Sequence, residues 1–245
     1  MTEEQVIALL ILALAGFIRG AFGFGDALFA MPLLAIIMPV SRAAPLMALS
    51  AFLIAVVILI QEWKAVDFRA TLVLIVAGIM GVPIGVVASK NLDAAIVKSA
   101  LGGLVIVFAV WSLWRPDLFS LKTDRSAPIF GIAAGILGGA YNTSGPPLVV
   151  FANLRKWPVD KFRAMMQAYC LISSTSIIAA HWWVGNVTKF TFTTFAVSGP
   201  LMVLATIVGQ RMTRNLATDR FVRLVHWLLF VVGVGLIWSS VVMSE

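Results

Sequence analysis

The sequence contains few charged residues. Aspartate, glutamate, lysine and arginine make up 12% of its 245 residues, about half of the ~25% found in soluble domains. Apolar residues make up 61%, and the mean hydropathy is +1.01. A soluble domain of this length must still face water with its outer shell, so it could not bury that much apolar surface. The composition excludes a soluble enzyme and a disordered chain, and it predicts an integral membrane protein.

Cysteine and histidine are almost absent. Cys170 is the single cysteine, so no disulfide can form within the chain. The two histidines, His181 and His226, lack the spacing of metal ligands. No phosphate-binding loop, nucleophile motif or pair of carboxylates accompanies them. We therefore expect neither a metal nor another cofactor, and a membrane-embedded enzyme is the weakest functional class for this sequence.

Long uncharged runs predict about eight membrane-spanning helices. A helix needs about 20 apolar residues to cross a hydrocarbon core of about 30 Å. Six runs reach or approach this length, at residues 43–60, 70–89, 99–114, 164–188, 190–210 and 224–244. Two further regions, residues 5–38 and 126–153, are interrupted by glycine and proline. The predicted fold is an all-α polytopic membrane protein.

The basic residues are best explained as a topology signal. The net charge is +7, but lysine and arginine lie between the apolar runs, which argues against a nucleic-acid patch. With eight crossings, eleven of them fall in loops opposite the N-terminus and six in loops on its own side. Because these residues concentrate on the cytoplasmic side, both termini are predicted on the outer side of the inner membrane.

The two interrupted regions resemble each other. At an offset of 115 residues, the first set matches the second: Gly16, Gly20, Gly23 and Pro32-Leu33 with Gly131, Gly135, Gly138 and Pro147-Leu148. After a four-residue insertion, Pro39-Val40 matches Pro158-Val159. The matches predict a repeat in residues 1–114, a connecting loop at 115–126 and a second repeat in 127–245, each repeat opening with a broken helix. Repeats of four crossings would share one orientation, unless a broken region is re-entrant.

The second broken region contains the most informative stretch. Pro146 and Pro147 fit the first turn of a helix but not its interior. We expect one helix to stop near Tyr141 and a half-helix to run to Asn153, at membrane depth. Its unpaired N–H groups, with nearby polar side chains, predict a site for a small anion. The alternative is a proline kink whose freed carbonyls bond those side chains. The predicted anion-binding residues are Asn142, Thr143, Ser144 and Gly145.

The first broken region carries two charges in an apolar run. Gly23 and Gly25 mark the break, and Arg19 and Asp26 flank them. Intramembrane charges are costly and are usually functional or paired. Two turns apart, Arg19 and Asp26 would share a face of a continuous helix. One interpretation is that Arg19 attracts the substrate while Asp26 titrates a proton. The alternatives are a structural ion pair, favoured for Asp26, or an Arg19 that reaches the outer surface.

The run at 164–188 is polar along part of its length. Gln167 and the residues 170–174 can share one face of a helix. Such side chains either line a pathway or bond neighbouring helices. Packing is the better explanation for the serines and threonines, whereas Gln167 is a candidate substrate contact.

With these breaks in place, the sequence resembles the sulfite exporter TauE/SafE family of membrane permeases, also grouped with toluenesulfonate uptake permeases, over essentially its whole length. The resemblance rests on two motifs and the duplicated layout: Gly23-Phe-Gly25 before Met31-Pro32-Leu33-Leu34, and Gly135-x-x-Gly138-Gly139 before Ser144-Gly145-Pro146-Pro147. One departure is Asp26, where the family commonly has a third glycine.

The resemblance implies a secondary carrier for sulfite, sulfonates or related small organic anions. We expect an inner-membrane transporter, an exporter or permease, that binds its anion at broken-helix N-termini near the membrane midplane. The alternative is an anion channel, or less favourably a membrane-embedded enzyme. Its partners would be the anion and the lipid bilayer, with no nucleic acid. The sequence leaves the anion, the direction, the coupling ion and a homo-oligomeric state open.

Overall fold

A computed structural model describes residues 2–91 and 120–213, with isolated helical residues between 96 and 110 and at position 234. The described part is helical, as the sequence predicts. The predicted span at 99–114 is described only at isolated residues, and the span at 224–244, with His226, lies outside the described residues apart from position 234. The helices are α1 (Glu3–Phe22), α2 (Asp26–Ile37), α3 (Val40–Glu62), α4 (Phe68–Asn91), α5 (Ala127–Tyr141), α6 (Gly145–Leu154), α7 (Val159–Trp183) and α8 (Lys189–Thr213), with short 3-10 turns at Trp63–Ala65 and Asp124–Ser126.

Four stretches of these helices are long and apolar enough to cross a membrane: Glu3–Phe22, Val40–Ala65, Phe68–Ser89 and Lys189–Met212. By contrast, α2 and α6 have only 12 and 10 residues. At about 1.5 Å per residue, each covers about half of a hydrocarbon core. The fold therefore combines long helices with short apolar half-helices.

One face of α4 is built for contact with lipid. Large apolar side chains recur there every fourth residue and are exposed: Phe68, Leu72, Val76, Met80 and Ile84. Residues four apart lie on the same side of a helix. A continuous exposed apolar stripe of this kind suits hydrocarbon and not water. This stripe is the structural counterpart of the high mean hydropathy.

α1 and α2 form a helical hairpin. α1 ends at Phe22, and Gly23 and Gly25 adopt left-handed φ angles of 81° and 96°, which glycine reaches without a Cβ clash. The chain reverses there, because α3 begins beside the start of α1, where Arg42 Nη1 lies 3.5 Å from Glu4 Oε1. We call this element hairpin 1 and residues 23–25 its tip.

α5 and α6 form a second hairpin. α5 ends at Tyr141, Asn142 takes a left-handed φ of 54°, and α6 begins at Gly145. The end of α6 returns to the segment before α5, where Arg155 Nε donates to Asp124 Oδ1 at 2.8 Å and the Leu121 amide donates to the Leu154 carbonyl at 2.8 Å. We call this element hairpin 2 and residues 142–144 its tip.

The two hairpins enter the protein from opposite sides. α3 and α7 run antiparallel, because Glu62 at the end of α3 pairs with Arg163 near the start of α7, while Ala48 and Ile177 pack together at the other ends. α1 runs parallel to α8, since Gln5 Nε2 donates to Thr193 Oγ1 at 3.3 Å and Gly20 lies against Thr206. Each hairpin starts and ends on one side.

These directions define two sides of the protein. The N-terminal side holds the starts of α1, α3 and α8 and the end of α4, and its basic residues are Arg42, Lys90 and Lys189. The opposite side, which we call the basic side, holds the ends of α3 and α8 and the starts of α4, α5 and α7. Its basic residues are Lys64, Arg69, Lys122, Arg125, Arg155, Lys156, Lys161, Arg163 and Arg211.

The helix directions differ from the sequence-based expectation of like-oriented halves. That expectation assumed that each broken region crosses the membrane, whereas each broken region here returns to its own side. Equally, Lys64 was expected opposite the loop at 155–163, yet Lys161 Nζ in that region lies 2.6 Å from Asp67 Oδ2. The reason is local: left-handed residues at both tips reverse the chain, and a glycine–proline pattern does not distinguish reversal from a kink.

Glycines allow each hairpin to pack closely on the opposite half of the chain. Gly16 and Gly20 of α1 lie against the Met202 and Thr206 carbonyls of α8, where any side chain would collide. The same contact joins α5 to α4: Gly135 and Gly139 lie against the Gly78 and Val82 carbonyls. Close backbone approach at small residues is the usual way for membrane helices to associate.

These contacts relate α1 to α5 in a different register from the sequence alignment. Gly16 and Gly135 are 119 residues apart, as are Gly20 and Gly139. The repeat predicted from the sequence has an offset of 115 residues, which differs from 119 by about one helical turn. Because glycine recurs every fourth residue in both helices, the two registers look alike in sequence. At 119 the inserted four residues are unnecessary, since Pro39 and Pro158 have the same separation.

Candidate functional site

The tips of the two hairpins meet around one cavity. It has room for about 30 Å³, which is about twice what one water molecule needs. Most of the sequence-predicted site residues line it: Arg19, Gly25, Asp26, Asn142, Thr143, Ser144 and Gly145. Cys170, near the middle of α7, and Ala51, at the middle of α3, also line it, so the cavity lies halfway along the two central helices.

Two helix N-termini open into this cavity. The first turn of α2, at residues 25–28, and the first residues of α6, at 144–145, are part of its wall. Within the described residues neither N-terminus has a side-chain cap. The first N–H groups of α2 have no partner within the helix, whereas at the start of α6 Pro146 and Pro147 have no N–H and the Gly145 amide is the donor that remains. At both ends the helix dipole adds partial positive charge. Their convergence creates a favourable environment for negative charge.

The tip of hairpin 2 is held by its own backbone. The Asn142 amide donates to the Gly138 carbonyl at 2.7 Å, and the Thr143 amide donates to the Leu137 carbonyl at 3.2 Å. Thr143 Oγ1 donates to the Tyr141 carbonyl at 3.0 Å. This last bond is of the kind expected from the proline-kink alternative, so part of the polar tip serves the backbone. The three residues 142–144 are nevertheless buried against the cavity.

Arg19 and Asp26 form a buried ion pair across the tip of hairpin 1. Arg19 Nη1 donates to Asp26 Oδ2 at 2.8 Å, and the two residues are 1% and 6% exposed. They do not share a face of a continuous helix, since the turn at Gly23 and Gly25 separates α1 from α2. The structural ion pair considered for Asp26 is therefore present, and it lies in the cavity wall.

Gln167 joins the two charges to the rest of the protein. It is fully buried, and its Oε1 accepts from Arg19 Nε at 3.0 Å and from Arg19 Nη2 at 2.9 Å. Its Nε2 donates to the Gly23 carbonyl at 2.7 Å. Gln167 and Gly23 thus stand behind the cavity wall and fix Arg19 and the tip, while neither lines the cavity itself.

The polar face of α7 divides into two groups. Cys170, Ser173 and Ser174 line the cavity. Thr175 and Ser176 lie on the exposed side and donate to carbonyls of their own helix, at 2.9 Å and 3.3 Å. Only the first group can take part in binding.

With this geometry described, comparison with known proteins identifies the family. The sequence matches the family described as "Sulfite exporter TauE/SafE" over residues 8–236. The chain belongs to the TauE/SafE family. It is 21% identical over 208 residues to a protein of Cupriavidus necator named "Probable sulfite/organosulfonate exporter TauE", covering 83% of this chain and 81% of that protein. No solved structure matches the chain.

In this TauE/SafE protein, several cavity residues carry no signal in the sequence. Phe24, Ala27, Ala51 and Met166 line the cavity as ordinary apolar side chains. The repeat could have identified one of them. Ala51 lies 119 residues before Cys170, and the same separation relates Pro39 to Pro158. The two residues line the same cavity from α3 and α7.

Charged residues on the basic side of this TauE/SafE protein connect the helices. Asp67, which precedes α4, accepts from Lys161 of α7 at 2.6 Å. This hydrogen bond lowers the pKa of the Asp67 carboxyl below its ordinary value of 3.8. Nearby, Arg163 Nη2 lies 3.4 Å from Glu62 Oε1. From the sequence, Lys161 and Arg163 are predicted only as loop residues that set the topology, and neither acidic partner is singled out.

The described residues contain no group of three or more His, Cys, Asp or Glu side chains that could hold a metal ion. His181 is fully buried, and its Nδ1 lies 3.0 Å from Asn186 Nδ2.

Proposed function

We propose that this TauE/SafE protein is a secondary carrier that moves sulfite or a small organosulfonate, with export as the direction. The observation that carries the proposal is the convergence of two uncapped helix N-termini and a buried arginine on one small cavity. Donors without a partner and a permanent cation are what an oxyanion requires. The small volume of the cavity favours a compact anion over a bulky one.

The anion is held at the tips of the hairpins. Asn142, Thr143, Ser144 and Gly145 contribute the polar tip of hairpin 2, and Arg19 with Gly25 contributes that of hairpin 1. Gln167 and Gly23 act as positioning residues, because their hydrogen bonds reach Arg19 and the tip. Gln167 therefore acts through Arg19, and not as the direct substrate contact that the sequence predicts.

Asp26 couples the anion to a proton in this scheme. While it is ionised, its carboxylate occupies Arg19 Nη1 and repels an incoming anion. When it is protonated, the repulsion is lost and Arg19 is available to an oxyanion. Each anion would then occupy the cavity together with a proton on Asp26. Asp26→Asn, which imitates the protonated form, is expected to retain flux and to lose its dependence on a pH gradient.

The two halves, residues 1–114 and 127–245, are proposed to be inverted repeats, each a hairpin followed by long helices. The exchanged glycine contacts and the antiparallel α3 and α7 support this. In this scheme the basic side is cytoplasmic, since among the described residues it has more lysine and arginine than the N-terminal side. The N-terminus then lies on the outer side of the inner membrane, and the crossing that the sequence predicts at 224–244 would bring the C-terminus to the same side. Two repeats in opposite orientation give a simple route to alternating access from either side.

The test is flux in proteoliposomes of sulfite, sulfoacetate and taurine, with and without a pH gradient. Ser144→Leu and Asn142→Leu should abolish flux at normal expression, because an apolar side chain replaces hydrogen-bonding groups in the cavity wall. Thr175→Leu, on the exposed side of α7, is the matched control and should transport normally. Normal flux in both cavity variants would overturn the site. Saturable flux that substrate on the opposite side stimulates distinguishes the carrier from a channel.

A further inference from the structure

A polar line on α7 connects the cavity to the basic side. Arg163 lies one helical turn before Gln167, and Cys170 and Ser174 continue the same face toward the middle of the helix. Gln167 binds Arg19, and Cys170 and Ser174 line the cavity. Arg163 is thus the cation on this face between the cavity and the basic side.

Arg163 fills the gap between hairpin 1 and the end of α3. Its Nη2 donates to the Gly20 carbonyl at 3.2 Å and lies 3.4 Å from Glu62 Oε1. Its aliphatic stem packs on the tip, where a Cβ on Gly23 would approach Arg163 Cγ to 2.8 Å. A solute that passes between the cavity and the basic side along α7 meets this side chain.

The guanidinium of Arg163 is held more loosely than that of Arg19. Its Nε is buried without a hydrogen-bond partner among the described residues, and Glu62 Oε2 is in the same condition. Their side chains are 20% and 25% exposed, whereas that of Arg19 is 1% exposed. A buried N–H without an acceptor is unfavourable, and an oxyanion presents several acceptor oxygens that a guanidinium binds well.

The charges around Arg163 set up a competition for it. Glu62 faces it from α3 and Asp160 lies near Glu62 at the start of α7. The adjacent cation, Lys161, is occupied by Asp67 at 2.6 Å. Of Arg19, Lys161 and Arg163, the last is therefore the cation that exchanges partners most readily, from the Glu62 carboxylate to a passing anion.

We propose that Arg163 is a second anion-binding residue of the transport pathway, at the entrance to the cavity from the basic side, and that Glu62 competes with the anion for it. The ligand class is a small sulfur oxyanion, an assignment that rests on the proposed function above. The anion pairs with Arg163 when Glu62 releases it and continues to Arg19 at the hairpin tips.

The experiment measures sulfite flux into proteoliposomes as a function of sulfite concentration, for wild type, Arg163→Ala, Arg163→Lys, Glu62→Gln and Lys161→Ala. Losing one charged hydrogen-bond partner weakens binding by about 10- to 100-fold. Arg163→Ala should therefore raise KM by about tenfold or more with little change in the maximal rate. Arg163→Lys should give a smaller rise. Glu62→Gln should lower KM, because the competing carboxylate is removed. Lys161→Ala is the control and should leave KM unchanged.

The opposite effects of Arg163→Ala and Glu62→Gln separate binding from a structural link. If the pair only fastened α3 to α7, breaking it from either end would change flux in the same direction, and that result would overturn the proposal. So would an unchanged KM in Arg163→Ala. Glu62→Gln keeps the test decisive if Arg163→Ala does not fold. Absence of flux of sulfite, sulfoacetate and taurine alike in wild type would overturn the proposed function itself, which is a distinguishable failure.

Discussion

At the scale of single residues, the buried ion pair between Arg19 and Asp26 is the feature with the largest energetic consequences. Burial of two charges that are each less than a tenth exposed carries a large desolvation penalty. Their mutual attraction and the hydrogen bonds between Arg19 and Gln167 help to offset it. Such a pair contributes little net stability compared with apolar residues of similar volume, but removing one partner leaves an unpaired buried charge. The pair is therefore weak evidence for stability, and it is compatible with the proposed role of Arg19 in anion binding.

This asymmetry gives a prediction for Arg19. Arg19→Met alone should destabilise the protein by about 3–5 kcal/mol, because Asp26 remains buried without a partner. Arg19→Met combined with Asp26→Asn should recover most of that stability while transport stays absent. Thermal unfolding in detergent measures the first effect and proteoliposome flux the second. An Arg19→Met protein as stable as wild type would show that the pair is not energetically coupled.

The sequence predicts the charged and polar residues of the candidate site but not its apolar ones. Arg19 and Asp26 stand out because charge is rare in an apolar run, and Asn142 to Ser144 because two prolines follow them. Ala51, Met166 and Phe24 line the same cavity, yet an apolar residue in an apolar helix carries no local signal. Arg163 and Glu62 lie at helix ends, where charges are expected on topological grounds alone.

At the scale of elements, the glycine contacts between α1 and α8 and between α4 and α5 fix the positions of the hairpins. Gly85 lies against the Ile136 carbonyl and Gly209 against the Phe17 carbonyl, with no room for a side chain. Backbone contacts of this kind are short and cannot relax as a flexible side chain would. Close backbone packing therefore fixes the distance of hairpin 1 from α8 and of hairpin 2 from α4.

Gly85→Ala and Gly209→Ala should each lower stability by about 1–3 kcal/mol, the usual effect of overpacking. The matched control is Gly199→Ala, whose new Cβ would lie 3.5 Å from Leu53 Cδ2, an ordinary contact. Alanine favours a helix by up to about 1 kcal/mol over glycine, so the control should be neutral or more stable. Thermal unfolding of the three variants side by side decides the matter, and equal losses in all three would argue against close packing.

A second prediction at this scale concerns pH and the link between Asp67 and Lys161. A carboxyl with a lowered pKa stabilises the fold above its ordinary pKa of 3.8 and loses that contribution as the pH falls through the lowered value. Asp67→Asn should therefore cost the same amount at every pH from about 5 to 8, less than about 1 kcal/mol for so exposed a pair. Unfolding temperatures of both proteins across that range test it, and a difference that changed with pH there would implicate another group.

At the scale of helices, the sequence leaves two features ambiguous: whether the chain reverses at a break, and the register of the repeat. Prolines at positions 146 and 147 lie in the first turn of α6, where proline fits best, and they place the break within a residue or two. A single proline is a weaker signal, because α2, α3, α4 and α8 each contain one in their interior. Whether the chain then continues or reverses depends on left-handed residues that the sequence does not mark, since Asn142 is the one that adopts this conformation at the second tip. The glycine period of four leaves the repeat register ambiguous by one turn.

For the whole molecule, composition alone predicts membrane helices, because too little charge is present to cover a soluble surface. Composition does not predict how the two halves are oriented relative to each other. Their relative orientation depends on whether each broken region counts as a crossing. A reversal at hairpin 1 inverts the orientation of the helices between the two hairpins, and the second reversal at hairpin 2 restores it. The distribution of basic residues becomes clearer with hairpins, because most of those in the described residues then lie on a single side.

The topology can be tested with cysteines. In a Cys170→Ala background, Lys64→Cys and Lys156→Cys should react with a membrane-impermeant thiol reagent from the same side, and Lys189→Cys from the opposite side. Labelling of intact cells and of inverted vesicles measures this. With eight full crossings, Lys64 and Lys189 would instead share a side, so that pattern would contradict the hairpins.

The exchange of contacts between the halves also has a consequence for synthesis. Gln5 binds Thr193, 188 positions later in the chain, and at about 5–20 residues per second the ribosome needs roughly 10–40 s to make that stretch. Throughout this interval hairpin 1 is in the membrane without α8, its eventual neighbour. The contacts of the first half are therefore completed only by the second, and a chain interrupted before α8 would leave the glycine face of its earliest helix uncovered.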